Sequence, residues 1–252
     1  MNTDTKQVLS KVPAVTLGFW VIKILATTLG ETGGDAVSMS MNMGYLLGTG
    51  IFIAFFIIVV FAQIKANRFH PFLYWVTIIA STTLGTTLAD FVDRSLGIGY
   101  LGGSLILITL LALTLFAWQR TLGSIHVGSV SEPKAEMFYW LTIMFSQTLG
   151  TALGDWTADT AGLGYVGAAY IFGAGLCLII AIYYFTSMSR TLLFWLAFVL
   201  TRPLGAVVGD FLDKPVVHGG LALSRYTASG VLILTIIFLV LMLPQNAARK
   251  GH

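Results

Sequence analysis

YWVTIIASTTLGTTLAD, residues 74–90, is one of four ungapped copies of a single pattern. The others are FWVIKILATTLGETGGD at 19–35, YWLTIMFSQTLGTALGD at 139–155 and FWLAFVLTRPLGAVVGD at 194–210. Each opens on an aromatic residue followed by Trp (Trp20, Trp75, Trp140, Trp195). Leu-Gly then falls nine residues after the Trp, and an Asp fifteen after it (Asp35, Asp90, Asp155, Asp210). Trp occurs only six times in 252 residues, so four at one register position mark an internal repeat, and such a period decides the architecture before any local reading. Ten residues beyond the Asp, three copies read Gly-Tyr (Tyr45, Tyr100, Tyr165), where the fourth has Gly219 and Gly220.

Hydrophobic residues make up 56% of the chain, charged residues only 10%, and the mean hydropathy is +0.86. That composition excludes an ordinary soluble globule and predicts an integral membrane protein with the lipid bilayer as its main partner. A net charge of +3 without any basic run gives no grip on nucleic acid. Cys177, the single cysteine, offers neither a disulfide framework nor a thiolate metal cage. The lysines before the first apolar stretch lack a convincing cleavage pattern, so that stretch reads as a retained span.

Every unit also holds a second apolar run, such as GTGIFIAFFIIVVFA at 48–62 or GSLILITLLALTLFAW at 103–118, long enough with its flanks to cross a hydrocarbon core of about 30 Å. The expected fold is therefore all-α, with eight transmembrane helices from four two-helix repeats. Two spans per unit make all units enter the membrane in the same direction, as parallel repeats with pseudo-symmetry about the membrane normal. Repeat offsets of 55, 65 and 55 residues divide the chain into halves 1–127 and 128–252, joined through the polar stretch TLGSIHVGSVSEPKAE at 121–136, and together forming one membrane domain. On the side of the termini fall Lys6, Lys11, Lys65, Arg68, Arg120, Lys134, Arg190, Arg249 and Lys250, against Arg94, Lys214 and Arg225 on the other, which predicts cytoplasmic termini. The repeat aspartates then lie toward the outer ends of the odd spans. The repeat tryptophans read as packing residues or as an interfacial belt, with packing favoured.

Four tandem two-span units with a Trp near the start of the first span, and TTLGETGGD in unit one, resemble a bacterial family of integral membrane proteins. That family is built from four copies of a repeat of unknown function and is often labelled uncharacterised membrane-anchored proteins. The resemblance covers nearly the whole chain and implies a multi-pass location in the bacterial cytoplasmic (inner) membrane. It supplies no activity and no site residues.

Before each Asp stands a small-xxx-small pair: Gly30 and Gly34, Gly85 and Ala89, Gly150 and Gly154, Gly205 and Gly209. Residues four apart share a helix face, so these faces predict close helix contacts. The adjoining Asp points about 100° away. Should the odd spans ring an axis, the four carboxylates surround one point, where acids in hydrocarbon mark ion or proton pathways and like charges favour holding protons or a cation. Alternatively, the chain breaks after the glycine and each Asp merely caps a short following helix. Unit one alone adds Glu31 and an intraspan Lys23; unit four alone carries Arg202-Pro203. Lys23 and Arg202 are expected to pair with acids from neighbouring units, Glu31 foremost, either structurally or as a displaceable counter-ion, and Pro203 to kink or break its span. Met39, Met41 and Met43 align their thioethers only in an extended segment, where they would suit a soft ion such as Cu(I). His218, in a glycine-rich loop, reads as solvated or loop-bound before it reads as a ligand or pH sensor.

The function these residues favour is a secondary transporter of an inorganic cation, a hard or borderline divalent metal exchanged for protons at Glu31, Asp35, Asp90, Asp155 and Asp210, with the two halves rocking about that centre. No cofactor is implied. The alternatives are a non-transporting scaffold or accessory subunit with a dry, glycine-packed centre, or a transporter of an organic cation held against aromatic walls. Association into a homo-oligomer stays open. An enzyme is not expected, because there is no H-E-x-x-H, no phosphate loop and no His-Cys-Ser constellation.

Overall fold

The computed structural model describes residues 10–248. Lys6, Arg249 and Lys250, which entered the orientation count, lie outside the described residues. The chain is all-helical: α1 (Leu17–Asp35), α2 (Gly44–Lys65), α3 (Pro71–Asp90), α4 (Gly99–Leu122), α5 (Pro133–Asp155), α6 (Gly164–Phe185), α7 (Arg190–Asp213) and α8 (Arg225–Met242). The odd helices start on local signals. Thr16 and Ser189 side chains accept from the backbone N–H groups of Phe19 and Leu192, and Pro71 and Pro133 occupy first turns that need no N–H donor.

After the repeat Asp, α1, α3 and α5 do not break. Each widens into one π-helical turn (Ala36–Ser40, Phe91–Ser95, Trp156–Thr160) before the chain reverses. Reversal ends on Gly44, Gly99 and Gly164, at φ of +73°, +74° and +62°, a region closed to most side chains, which explains the glycine of each Gly-Tyr pair. In unit four α7 runs on unbroken through Pro203 to Asp213. The break anticipated at Pro203 is therefore absent; a single missing N–H does not interrupt a helix whose neighbouring turns are packed.

Six helices, α2, α3, α4, α6, α7 and α8, are long and apolar enough to cross a membrane. Helices α1 and α5, of 19 and 23 residues, have comparable length but carry Lys23, Glu31 and Asp35, or Lys134, Glu136 and Asp155.

The odd helices form a closed circuit, α1 on α3, α3 on α5, α5 on α7 and α7 on α1. Each even helix leans on the odd helix of the next unit, with α2 on α3, α4 on α5, α6 on α7 and α8 on α1. The same two contacts recur at every step. A Cβ added to Gly30, Gly85, Gly150 or Gly205 would run into Thr82, Gln147, Arg202 or Thr27, in each case the residue three places before the glycine of the adjoining unit. The aromatic residue opening each unit likewise meets the Trp of the adjoining one: Phe19–Trp75 at 5.5 Å between ring centroids, Tyr74–Trp140 at 5.7 Å, Tyr139–Trp195 at 6.2 Å and Phe194–Trp20 at 5.7 Å. The repeat tryptophans are thus packing residues, with Trp75, Trp140 and Trp195 buried. The outer helices turn Leu46, Ile57, Leu105, Phe116, Leu178 and Leu234 outward, an apolar surface of the kind that meets lipid.

At the end opposite the repeat aspartates, the segments before α1 and after α8 are tied to the inter-half linker. Pro13 pairs with Ala247, Lys11 N donates to the Val130 carbonyl at 3.0 Å, and the Lys11 ammonium reaches Glu136 at 2.6 Å.

Candidate functional site

On each odd helix, every fourth position from the repeat aromatic to the repeat Asp is buried. Five layers result. Phe19, Tyr74, Tyr139 and Phe194 close the end nearest the chain termini, with the Tyr74 and Tyr139 hydroxyls 2.7 Å apart. Next come Lys23, Ile78, Ile143 and Phe198; then Thr27, Thr82, Gln147 and Arg202; then Glu31, Thr86, Thr151 and Ala206; and last Asp35, Asp90, Asp155 and Asp210.

Arg202 occupies the heart of the stack. Its Nη2 lies 3.0 Å from Glu31 Oε2, 2.6 Å from Thr86 Oγ1 and 2.5 Å from Thr151 Oγ1, so one guanidinium reaches the same register position in all three other units. Ala206, the small member of that layer, leaves the space it fills. The expected pairing of Arg202 with Glu31 is met. Lys23 behaves otherwise: among the described residues no carboxylate pairs with it, and its ammonium sits 3.5 Å from Gln147 Oε1, 3.5 Å from Thr201 Oγ1 and 4.1 Å from the centre of the Phe198 ring. Glu31 lies two turns further along the same helix, and the apolar Ile78 and Ile143 fill the neighbouring positions of its layer, so the anticipated acid partner does not exist.

The repeat aspartates are bridged by two bases. Arg94 Nε lies 3.0 Å from Asp90 Oδ1 and its Nη2 3.2 Å from Asp155 Oδ2. Lys214 Nζ lies 3.0 Å from Asp210 Oδ1 and also pairs with Asp35 Oδ2. Each base stands four residues after an Asp of its own unit and crosses to the Asp of the next, so Arg94 joins α3 to α5 and Lys214, just past the end of α7, joins it to α1. Tyr45 and Tyr100, from the Gly-Tyr pairs, accept from Arg94 at 3.3 and 3.1 Å. Arg225 Nε pairs with Asp213 at 2.9 Å and stands 3.8 Å from Asp35. Burial works against the Lys214 charge, but Asp210, Asp35 and Asp213 outweigh it and hold its pKa above the ordinary lysine range, so the ammonium stays charged at physiological pH.

Three of these acids, Glu31, Asp35 and Asp210, bring ligand oxygens within 4.8 Å of one another, a spacing that could hold a cation. Asp35 Oδ1 is buried without a hydrogen-bond partner. Asp90 and Asp155 belong instead to the Arg94 bridge. The capping alternative fails: Asp35, Asp90 and Asp155 make no side-chain cap bonds to the π turns that follow them, and Asp210 lies inside α7. The copper reading requires an extended segment, and the segment is not extended: Met39 lies in the π turn and Asn42, at φ +54°, turns the chain between Met41 and Met43. No open aromatic wall for an organic cation is found among the described residues, since the repeat aromatics pack on one another. His218 ends a short 3₁₀ turn (Val216–His218) near the Lys214 loop.

Arg94 and Lys214 were readable only as loop charges that set orientation. Their spacing of four from an Asp was the available signal, and it occurs in units two and four alone.

Ring and stack define an all-helical repeat protein with membrane-type spans and a charged axis. The chain belongs to the family described as Repeat of Unknown Function (DUF347), which matches at residues 18–69, 73–123, 138–189 and 193–246, one match for each unit. Neither a curated protein nor a solved structure matches it.

Proposed function

We propose that this protein is a secondary transporter of an inorganic cation, a divalent metal exchanged for protons at the outer end of the axis. The observation that carries this reading is the Lys214 ammonium lodged between Asp35 and Asp210, within a group of three carboxylates whose oxygens approach to 4.8 Å. A tethered cation already sits where a free one would bind. An arriving divalent ion would displace it, and oxygen ligands suit hard ions of the Mn²⁺, Mg²⁺ or Ca²⁺ type. Protons would replace the metal on the return step, since crowded carboxylates in a low dielectric do not all stay ionised.

The two bridges cross the two seams between the halves of the chain, α3–α5 and α7–α1, and not the seams within a half. Releasing Arg94, Lys214 and the contacts of Arg225 with Asp35 and Ser40 would free the halves at their outer end alone, as rocking requires. In this reading α1 and α5 also cross the bilayer, giving eight spans in parallel repeats about the membrane normal, with the termini on the cytoplasmic side of a bacterial inner membrane. The recurrence of one glycine contact and one aromatic contact around the circuit supports that symmetry.

The test is flux into proteoliposomes against a panel of divalent cations and a proton gradient, with Asp35→Asn, Asp90→Asn, Asp155→Asn and Asp210→Asn beside the wild type. At least two folded variants should lose transport. Retention of full flux by all four, or movement of no ion by the wild type, overturns the proposal. A scaffold or accessory subunit is favoured by one observation, that Arg202 with the Thr86 and Thr151 hydroxyls occupies the axis at the Glu31 level, while hollows beside Trp195 and beside Phe52 lie away from the acids. A wild type that moves nothing would select that reading.

A further inference from the structure

The inner half of the axis holds two buried basic side chains and, among the described residues, one acid. Lys23 and Arg202 are fully buried, on neighbouring layers of the stack. Only Glu31 answers them, and it is committed to Arg202. The donors in this region also lack acceptors. Arg202 Nε and Nη1, Gln147 Nε2 and Thr82 Oγ1 are all buried without a hydrogen-bond partner, and they come from three different helices of one layer. The two polar contacts of Lys23, both at 3.5 Å, are longer than an ordinary N–H···O bond, and its third contact is the face of the Phe198 ring. A weakly held buried base and a set of orphaned donors are each costly, and their occurrence on adjoining layers points to a shared acceptor, for which the free guanidinium edge favours negative charge.

We propose that a small monovalent inorganic anion, of halide size, binds on the ring axis between Lys23 and Arg202. Gln147 and the free guanidinium edge supply donors, and Lys23 closes the site toward the aromatic layer. Phe198 lies against the Lys23 ammonium, and Ile78 and Ile143 share its layer, so the site offers too few donors for a strongly hydrated sulfate or phosphate and suits a weakly hydrated ion. The site stands two layers from the repeat aspartates and does not require that cations be transported.

Melting of the purified full chain, followed by tryptophan fluorescence at constant ionic strength, tests this with sodium chloride, bromide and sulfate against gluconate, an anion too large for the axis. Chloride and bromide should raise the melting temperature saturably, and sulfate should not. Lys23→Met removes the unpaired buried base, so it should melt at least as high as the wild type in gluconate and show no halide response. Should that variant fail to fold, Gln147→Leu probes the same donors and should weaken the halide response at least several-fold. Bromide soaked into crystals should give an anomalous peak between Lys23 and Arg202. An unchanged wild-type melting temperature in halide, a halide response that survives Lys23→Met or Gln147→Leu, or a bromide peak elsewhere overturns the proposal and leaves ordered water as the acceptor. Cation flux plays no part in these readouts, so either idea can fail without the other.

Discussion

Arg202→Met should be among the most damaging single changes in the chain. Its guanidinium is fully buried and reaches Glu31, Thr86 and Thr151, three other units of the ring, so its loss strands the Glu31 carboxylate in a dry layer. Removing one partner of a buried pair costs about 3–5 kcal/mol. At about 2–4 °C per kcal/mol for a chain of this length, the melting temperature should fall by roughly 6–20 °C. Glu31→Gln strands the guanidinium and should cost a similar amount. The double variant leaves neither charge uncompensated, and it should fall short of the sum of the singles by about 2–3 kcal/mol. Detergent-solubilised protein, unfolded by heat and by reversible denaturant titration, supplies all four corners of this cycle. If the single losses add to within about 0.5 kcal/mol, Arg202 and Glu31 do not interact and the description of the axis is wrong.

Gly85→Ala should destabilise by about 1–3 kcal/mol through overpacking, since its Cβ would come within 2.9 Å of the Gln147 backbone, whereas Gly173→Ala, with open space around it, should be neutral or gain stability in the same melt. Lys214→Met removes the tethered cation from Asp35 and Asp210, so divalent metal should raise the melting temperature of this variant more than that of the wild type; an equal response would dissociate Lys214 from any metal site. In a Cys177→Ser background, a cysteine at exposed Asn67 and one at exposed Val217 should react with a membrane-impermeant maleimide from opposite faces of sealed vesicles. Labelling of both from one face would reject the eight-span arrangement.

Repeat register was legible because it is a pattern along one dimension. Trp, Leu-Gly and Asp recur at fixed distances, and the small-residue faces they imply do form the seams. Partner choice was less so. Arg202 found Glu31 because the sequence holds few intraspan charges. Lys23 found no acid, because pairing depends on which layer a residue occupies, and its layer is otherwise Ile78, Ile143 and Phe198. Arg94 and Lys214 were hidden by their position past the apolar runs, where a base reads as a loop residue. Only the π turn after Asp90, and the extra helical turn after Asp210, bring them back over the carboxylates. The π turn after Asp35 and the left-handed Asn42 beyond it defeated the methionine reading, since alternate residues line up only on an extended chain.

Because the glycine of every unit fits the unit beside it in one rotational sense, the contact is head-to-tail and never self-complementary. Such an interface cannot satisfy a lone pair of units: a polypeptide holding two would expose a socket at one side and a plug at the other. A second identical chain would cover both. The present protein has solved the same geometric demand by covalent tandem repetition, with α8 returning to α1, and in doing so it has gained the freedom to make the quarters unlike, with a guanidinium in one, a lone ammonium in another and a bridging base in every second.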